Sequence, residues 1–380
     1  MAKINSAESL RGLACLAVVF SHIALTFYPQ LHQFFDSDLP EFKWQLWIYD
    51  SPFSFFYSGD GAVYVFFVLS GFVLTLSSLK SGMNAKRLSQ AVIKRVPRLL
   101  IPALVSNLLV WAVLHWTVDT SEVSTWFQSV VVDKPQLKEA LEFGTYEPFI
   151  FGESKYNVVL WTMQIELFGS FLIYLMCFLN SICWLKWLFV ALTLLVTSQL
   201  SVGLMLGLLC FVVGYGLAFI HGKLPDSVAL LTLLLGLYLC GFHEDSNSYI
   251  WITDRLPDVM GLDIRDVGHV LGGALVTISV LLSARLDKLL NKRWLVYLGK
   301  ISFSIYLVHF ICMYVVGVPV FNSLLHHHVS FGYAAFAGVV AILISTLILA
   351  PLFCEMVDEY SIRCAKWVGN EVGRAWDALH

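Results

Sequence analysis

Two residues of unlike chemistry, Arg11 and His22, stand 11 positions apart in the first apolar stretch, SLRGLACLAVVFSHIAL. In an α-helix that separation is about 16.5 Å of rise and about 20° more than three full turns. The spacing predicts both side chains on one helix face, the guanidinium at a membrane rim and the imidazole deep in the hydrocarbon. An imidazole so placed suits general-base chemistry, taking a proton from a hydroxyl as its oxygen attacks an acyl carbon. The same pair also suits a rim arginine reaching headgroups and a core histidine bonded to a neighbouring carbonyl. Glu166, in WTMQIELFGS, lies well inside its own apolar run. A carboxylate there needs a proton or a cation. It is a candidate to orient His22 as a buried carboxylate does in a triad, or else to form a structural ion pair.

Tyr306 and His309 are i and i+3 in LGKISFSIYLVHF and share a helix face. With Ser70 of AVYVFFVLSGFVLTL they offer donors to a developing oxyanion, although Tyr306 bonded to His309, and Ser70-Gly71 packing a helix closely, are the structural alternatives. Arg95 and Arg98, one turn apart in KRLSQAVIKRVPRLLIP, suit a fork onto phosphate oxygens; they also suit topology-setting charge. Trp161 is either a wall for an acceptor or an interfacial anchor. Asp263, Asp266 and His269 recur every third residue at an outer rim, where a polar acceptor arrives or a helix end is solvated. No C-x-x-C spacing occurs, and three consecutive imidazoles at His326, His327 and His328 do not share one face, so no metal is expected. The eight cysteines fall in apolar runs or on the inner side, which predicts no structural disulfide.

The elements that must position these groups follow from composition. Of 380 residues, 58% are hydrophobic and only 13% charged, about half the charge of a soluble domain, and mean hydropathy is +0.74. This excludes a soluble enzyme, a disordered chain and a nucleic-acid binder, and predicts an all-α polytopic membrane protein. Apolar runs long enough to cross about 30 Å of hydrocarbon fall at 9–28, 62–79, 99–116, 158–178, 187–200, 202–221, 227–243, 267–285, 296–318 and 331–354. Ten spans result, or nine if the short fifth run and the sixth form one crossing. With the N-terminus inside, all but six of the 24 Lys and Arg (Lys43, Lys134, Lys138, Lys155, Arg255 and Arg265) fall on the inner side. Both termini are then cytoplasmic, and the formal net charge of −3 conceals a basic inner and an acidic outer face. The first run carries His22, leads into Tyr28 and lacks a small-x-small site, so it reads as a span rather than a cleavable signal peptide. The longest stretch between spans, 117–157, leaves no room for a separate soluble catalytic domain. The expectation is one transmembrane domain over 1–360 and a short cytoplasmic tail over 361–380.

Four segments, in this order, resemble the acyltransferase-3 family of integral membrane acyltransferases: the R-x10-H pair Arg11 and His22, FFVLSGF at 66–72, KRVPRLLIP at 94–102 and ISFSIYLVHF at 301–310. WTMQIE at 161–166 is similar to the family's W-S-L-x-x-E, with Thr162 for serine, and Phe303 stands where members often have tyrosine. The resemblance implies a ten-helix core in the bacterial inner (cytoplasmic) membrane. It would take an acyl group, usually acetyl from cytosolic acetyl-CoA, to a hydroxyl of a cell-surface or exported glycan or glycolipid. The resemblance implies that Arg11, Arg95 and Arg98 engage the CoA end and that His22 is catalytic. From the residues themselves, Ser70 joins the donor side, Glu166, Tyr306 and His309 support His22, and Trp161, Asp266 and His269 meet the acceptor. Direct transfer and a route through acyl-His22 or acyl-Ser70 are both open. A secondary transporter or glycan flippase would use mid-membrane Arg, His and Glu equally well. Against that class, residues 1–178 show no repeat in 187–354.

Overall fold

A computed structural model describes residues 5–35, 37–40, 42–116, 118–256 and 262–379; residues 1–4 and 380, at the outer ends of the expected domain and tail, lie outside them. Among the described residues the chain is helical with no extended strand, a polytopic all-α membrane protein. Eight helices are long and apolar enough to cross a bilayer and two shorter apolar ones pack among them. We number the apolar helices α1 (Asn5–Phe27), α2 (Gly59–Ser81), α3 (Ala85–Val113), α4 (Thr162–Phe178), α5 (Cys183–Leu200), α6 (Val202–Leu217), α7 (Asp226–Cys240), α8 (Ile264–Leu282), α9 (Ser302–His326) and α10 (Phe331–Phe353). The fifth and sixth runs do not merge. Ser201 takes an extended backbone between them, and its hydroxyl caps α6 by accepting from the Leu204 N–H.

Three boundaries depart from the sequence expectation. α3 starts well before the apolar run and continues through Pro97 and Pro102, so Arg95 and Arg98 sit on a helix rather than in the approach to one. The ninth run is broken at Ile301 between a short helix, Arg293–Lys300, and α9. The tenth continues through a wide turn at Cys354–Asp358 into α11 (Glu359–Leu379). This last helix lies against α3, with Lys86 Nζ on the Asp377 carboxylate at 2.5 Å and Gln90 Nε2 donating to the Gly369 carbonyl at 2.9 Å. The expected tail is therefore an amphipathic helix backing the arginines of α3.

α2 is central, packed against α1, α4, α6 and α8. Its crossing with α6 brings backbone to backbone. A Cβ on Gly71 would collide with the Phe211 carbonyl, and one on Gly214 with the Val68 carbonyl. Small residues permit this approach where lipid supplies no hydrophobic drive between helices. α1 completes the core against α9 and the helix at 293–300, where Gly299 meets the Glu8 carbonyl. The 118–157 segment folds back against the bundle at the end of α1 away from the N-terminus, with the Asn322 amide donating to the Asp119 carbonyl at 2.8 Å. Within it a short helix, Thr125–Val130, is tied to the end of α1 by the Ser124 hydroxyl donating to the Leu25 carbonyl at 2.5 Å.

Candidate active site

Two cavities enter the bundle from opposite ends and share the walls Val63 and Tyr306. The first, of about 750 Å³, opens at the end that carries the N-terminus of α1 and is lined by Arg11, Arg95 and Arg98 together with Ser70, Glu166 and Phe303. Glu166 accepts from the Arg95 Nη2 at 2.7 Å and from the Ser70 hydroxyl at 2.7 Å. Both ionised side chains are only 16% exposed. Arg98 forks onto the Asp358 carboxylate, donates to the Ser361 hydroxyl at 3.0 Å and lies 5.5 Å from the Phe303 ring centroid. Arg11 is the least committed of the three, 3.7 Å from Glu8. The Arg95 Nε is buried without a partner.

The second cavity, about 1250 Å³, opens at the other end and holds His22. His22 Nδ1 is 2.8 Å from His309 Nε2, and His309 Nδ1 is 3.2 Å from the Ile305 carbonyl. A carbonyl only accepts, so the hydrogen-bond network assigns the tautomers of a neutral pair in sequence. His309 carries its proton on Nδ1, its Nε2 accepts from His22 Nδ1–H, and His22 Nε2 keeps a lone pair for the cavity. Trp126 lies 5.6 Å from His22 at 10° between ring planes, and Phe310 meets it edge-on at 4.9 Å. Tyr306 donates to the Val159 carbonyl at 2.9 Å and bonds the Thr162 hydroxyl at 3.1 Å. It thus pins α9 to the turn before α4 and forms the partition between the cavities.

Around the outer mouth stand Trp161, Asp60, His32, His243, Glu244, Asp245, Asp263, Arg265 and His269. Burial pushes the His32 and His243 imidazoles below their ordinary range. Glu244 is raised to about 7, first because its carboxyl is hydrogen-bonded to that of Asp263 and then by burial. Among the described residues no three His, Cys, Asp or Glu side chains converge as metal ligands.

The structure thus joins Arg11, Arg95, Arg98, Ser70 and Glu166 at one cavity, and His22, Trp161 and His269 at the other, with His309 behind His22 and Tyr306 between. Glu166 does not orient His22. It sits one turn beyond Trp161 on α4 and faces α2 and α3, whereas His22 faces α9. Asp266 is not part of the cavity lining, though its neighbours Asp263 and His269 are. Ser70 and Tyr306 have their hydroxyl protons committed to Glu166 and to the Val159 carbonyl. Sequence reasoning missed Asp358, Ser361 and Trp126. Asp358 had a weak signal, as one of three acids in CEMVDEY just beyond the last apolar run, but nothing named Arg98 as its partner.

Two cavities lined by charged side chains inside an apolar helical bundle define a multi-pass membrane protein with buried polar sites. The family model described as "Acyltransferase domain" matches residues 4–354. The chain belongs to this acyltransferase-3 family and is a multi-pass membrane acyltransferase. No curated protein and no solved structure matches it.

Proposed function

We propose that the protein transfers an acetyl group from cytosolic acetyl-CoA to a hydroxyl of a cell-surface or exported glycan at a bacterial inner membrane, within a single domain over 1–360. The observation that carries this reading is the meeting of a basic cavity and an acidic cavity at Tyr306 and Val63, with the His22 lone pair facing the second. The bias of basic residues puts the N-terminal end in the cytoplasm, so the basic cavity is the CoA side. Arg11, Arg95 and Arg98 retain donors there for phosphate oxygens. The about 16.5 Å of helix rise from Arg11 to His22 is on the order of an extended pantetheine arm, which carries the thioester to the partition.

His22 Nε2 takes the proton of the acceptor hydroxyl as that oxygen forms its bond to the thioester carbon. The imidazolium lies beside the charge developing on the carbonyl oxygen and offsets it. When the C–S bond breaks, the proton passes from His22 to the CoA sulfur, leaving the acetyl ester, free thiol and neutral His22. His309 positions the base by holding its Nδ1 proton. Glu166 orders the donor cavity through Arg95 and Ser70. A direct transfer uses each of these contacts as it stands, whereas an acyl-Ser70 route first requires the Ser70 proton to leave Glu166.

The test is turnover of radiolabelled acetyl-CoA by purified protein and by His22→Ala. Loss of transfer and of slow hydrolysis in the variant, with CoA binding retained, is expected. Equal rates contradict the role of His22.

A further inference from the structure

The outer cavity carries more carboxyls than cations. Carboxyls of Asp60, Glu244, Asp245 and Asp263 face it against one guanidinium, Arg265. Arg265 makes no ion pair closer than 4.0 Å among the described residues and its Nε is buried without a partner, so it is one donor against four carboxyls in the wall. A second, independent observation comes from His269, which is 2% exposed and lines the same cavity. Its Nε2 bonds the Phe242 carbonyl at 3.2 Å and must therefore carry the proton. Its Nδ1 then holds a lone pair, buried and without a partner. A buried acceptor without a donor is unfavourable until a ligand supplies one. Hydroxyl and ammonium groups supply such donors; a carboxylate, sulfate or phosphate offers only lone pairs and negative charge.

We propose that the outer cavity selects its acceptor by charge, taking a sugar residue that is neutral or carries an amine and excluding one that carries an acidic group. The inference rests on the acyltransferase reading above and names the acceptor class for that same site. Near His22 the hydroxyl to be acetylated faces Trp126 and Trp161, which suit the apolar faces of a sugar ring. The rest of the ring donates toward His269 and the carboxyls at the mouth. An acidic acceptor places like charge among these carboxyls and leaves His269 Nδ1 unsatisfied, and like-charge juxtaposition of this kind suppresses wrong partners.

The experiment uses the full chain in lipid nanodiscs with radiolabelled acetyl-CoA and three matched acceptors: methyl β-glucoside, methyl β-glucosaminide and methyl β-glucuronide. Transfer to the first two should exceed transfer to the glucuronide at least tenfold in kcat/KM. The combined Glu244→Gln and Asp245→Asn substitutions should shrink that ratio at least threefold. Equal or faster transfer to the glucuronide, dependent on His22, overturns the charge selection and leaves the acyltransferase reading intact. Labelled product formed equally by His22→Ala overturns that reading instead. A probe independent of acceptor identity is quenching of Trp161, taken as the difference between wild type and Trp161→Phe. With each quenching constant divided by that of free N-acetyltryptophanamide, the caesium ratio should exceed the iodide ratio, and the reverse order overturns the proposal.

Discussion

The two cavities differ in how they hold charge. In the inner one each arginine has a protein partner: Glu166 for Arg95, Asp358 for Arg98 and, more loosely, Glu8 for Arg11. In the outer one the chemically useful atoms are left open, with lone pairs on His22 Nε2 and His269 Nδ1 and carboxyls in excess of cations. The difference follows from what each has to do in a medium without water. Guanidinium groups buried to the depth of Arg95 require counter-charge before any ligand arrives, and the pairing keeps them in place. A base must keep its lone pair available, so His22 is anchored through its other nitrogen only.

The contrast breaks most completely at His22. Replacing it with alanine should lower turnover by about a hundredfold or more, the usual contribution of a positioned general base, while CoA affinity measured by calorimetry stays near wild type. At the inner cavity the largest effect should fall on folding. Arg95→Ala leaves Glu166 half-buried without its cation, a loss on the order of 3 kcal/mol, read as a lower unfolding midpoint in detergent. Arg95→Met combined with Glu166→Leu should recover the midpoint without recovering CoA binding. If the double variant binds CoA normally, Arg95 is a structural partner of Glu166 alone.

His309 separates holding the base from being the base. His309→Leu removes the acceptor for His22 Nδ1–H and should lower kcat by about tenfold or more through the wrong tautomer. His309→Gln, whose amide oxygen replaces Nε2, should restore most of it. A glutamine variant as impaired as leucine would show that His309 does more than position. A smaller effect is expected from pH at the outer mouth. Glu244 is raised to about 7 by its bond to Asp263 and by burial, so its carboxyl is protonated below that pH and ionised above it. The cavity gains negative charge between pH 6 and pH 8, and KM for an acidic acceptor should rise a few-fold over that range while KM for a neutral one holds.

The sequence was most informative where the relevant geometry is local. Arg11 and His22 share a helix face because 11 residues are close to three turns, and Arg95 and Arg98 line one cavity because they are one turn apart. Gly71 opposes a backbone because a glycine in an aromatic run allows it. Partnerships across the bundle were not legible. Glu166 and His22 have similar depth but different azimuth, and depth is all that hydropathy conveys. Trp126 reaches His22 from a segment outside the spans, and Asp358 reaches Arg98 from the wide turn that follows the last apolar run. The break at Ile301 lay inside the 296–318 run, where Gly299 and Lys300 interrupt the apolar residues too briefly to lower the hydropathy of the whole window. Hydropathy does not register a change of helix direction.

The central claim is that acyl transfer runs from one face of the bundle to the other through His22. Its most direct test is sidedness in sealed, uniformly oriented proteoliposomes, with radiolabelled acetyl-CoA supplied only on the face carrying the N-terminus and acceptor sugar only on the other. Labelled ester should form on the acceptor side and be absent with His22→Ala. Product that forms only when donor and acceptor share one side, or that forms equally without His22, would contradict it.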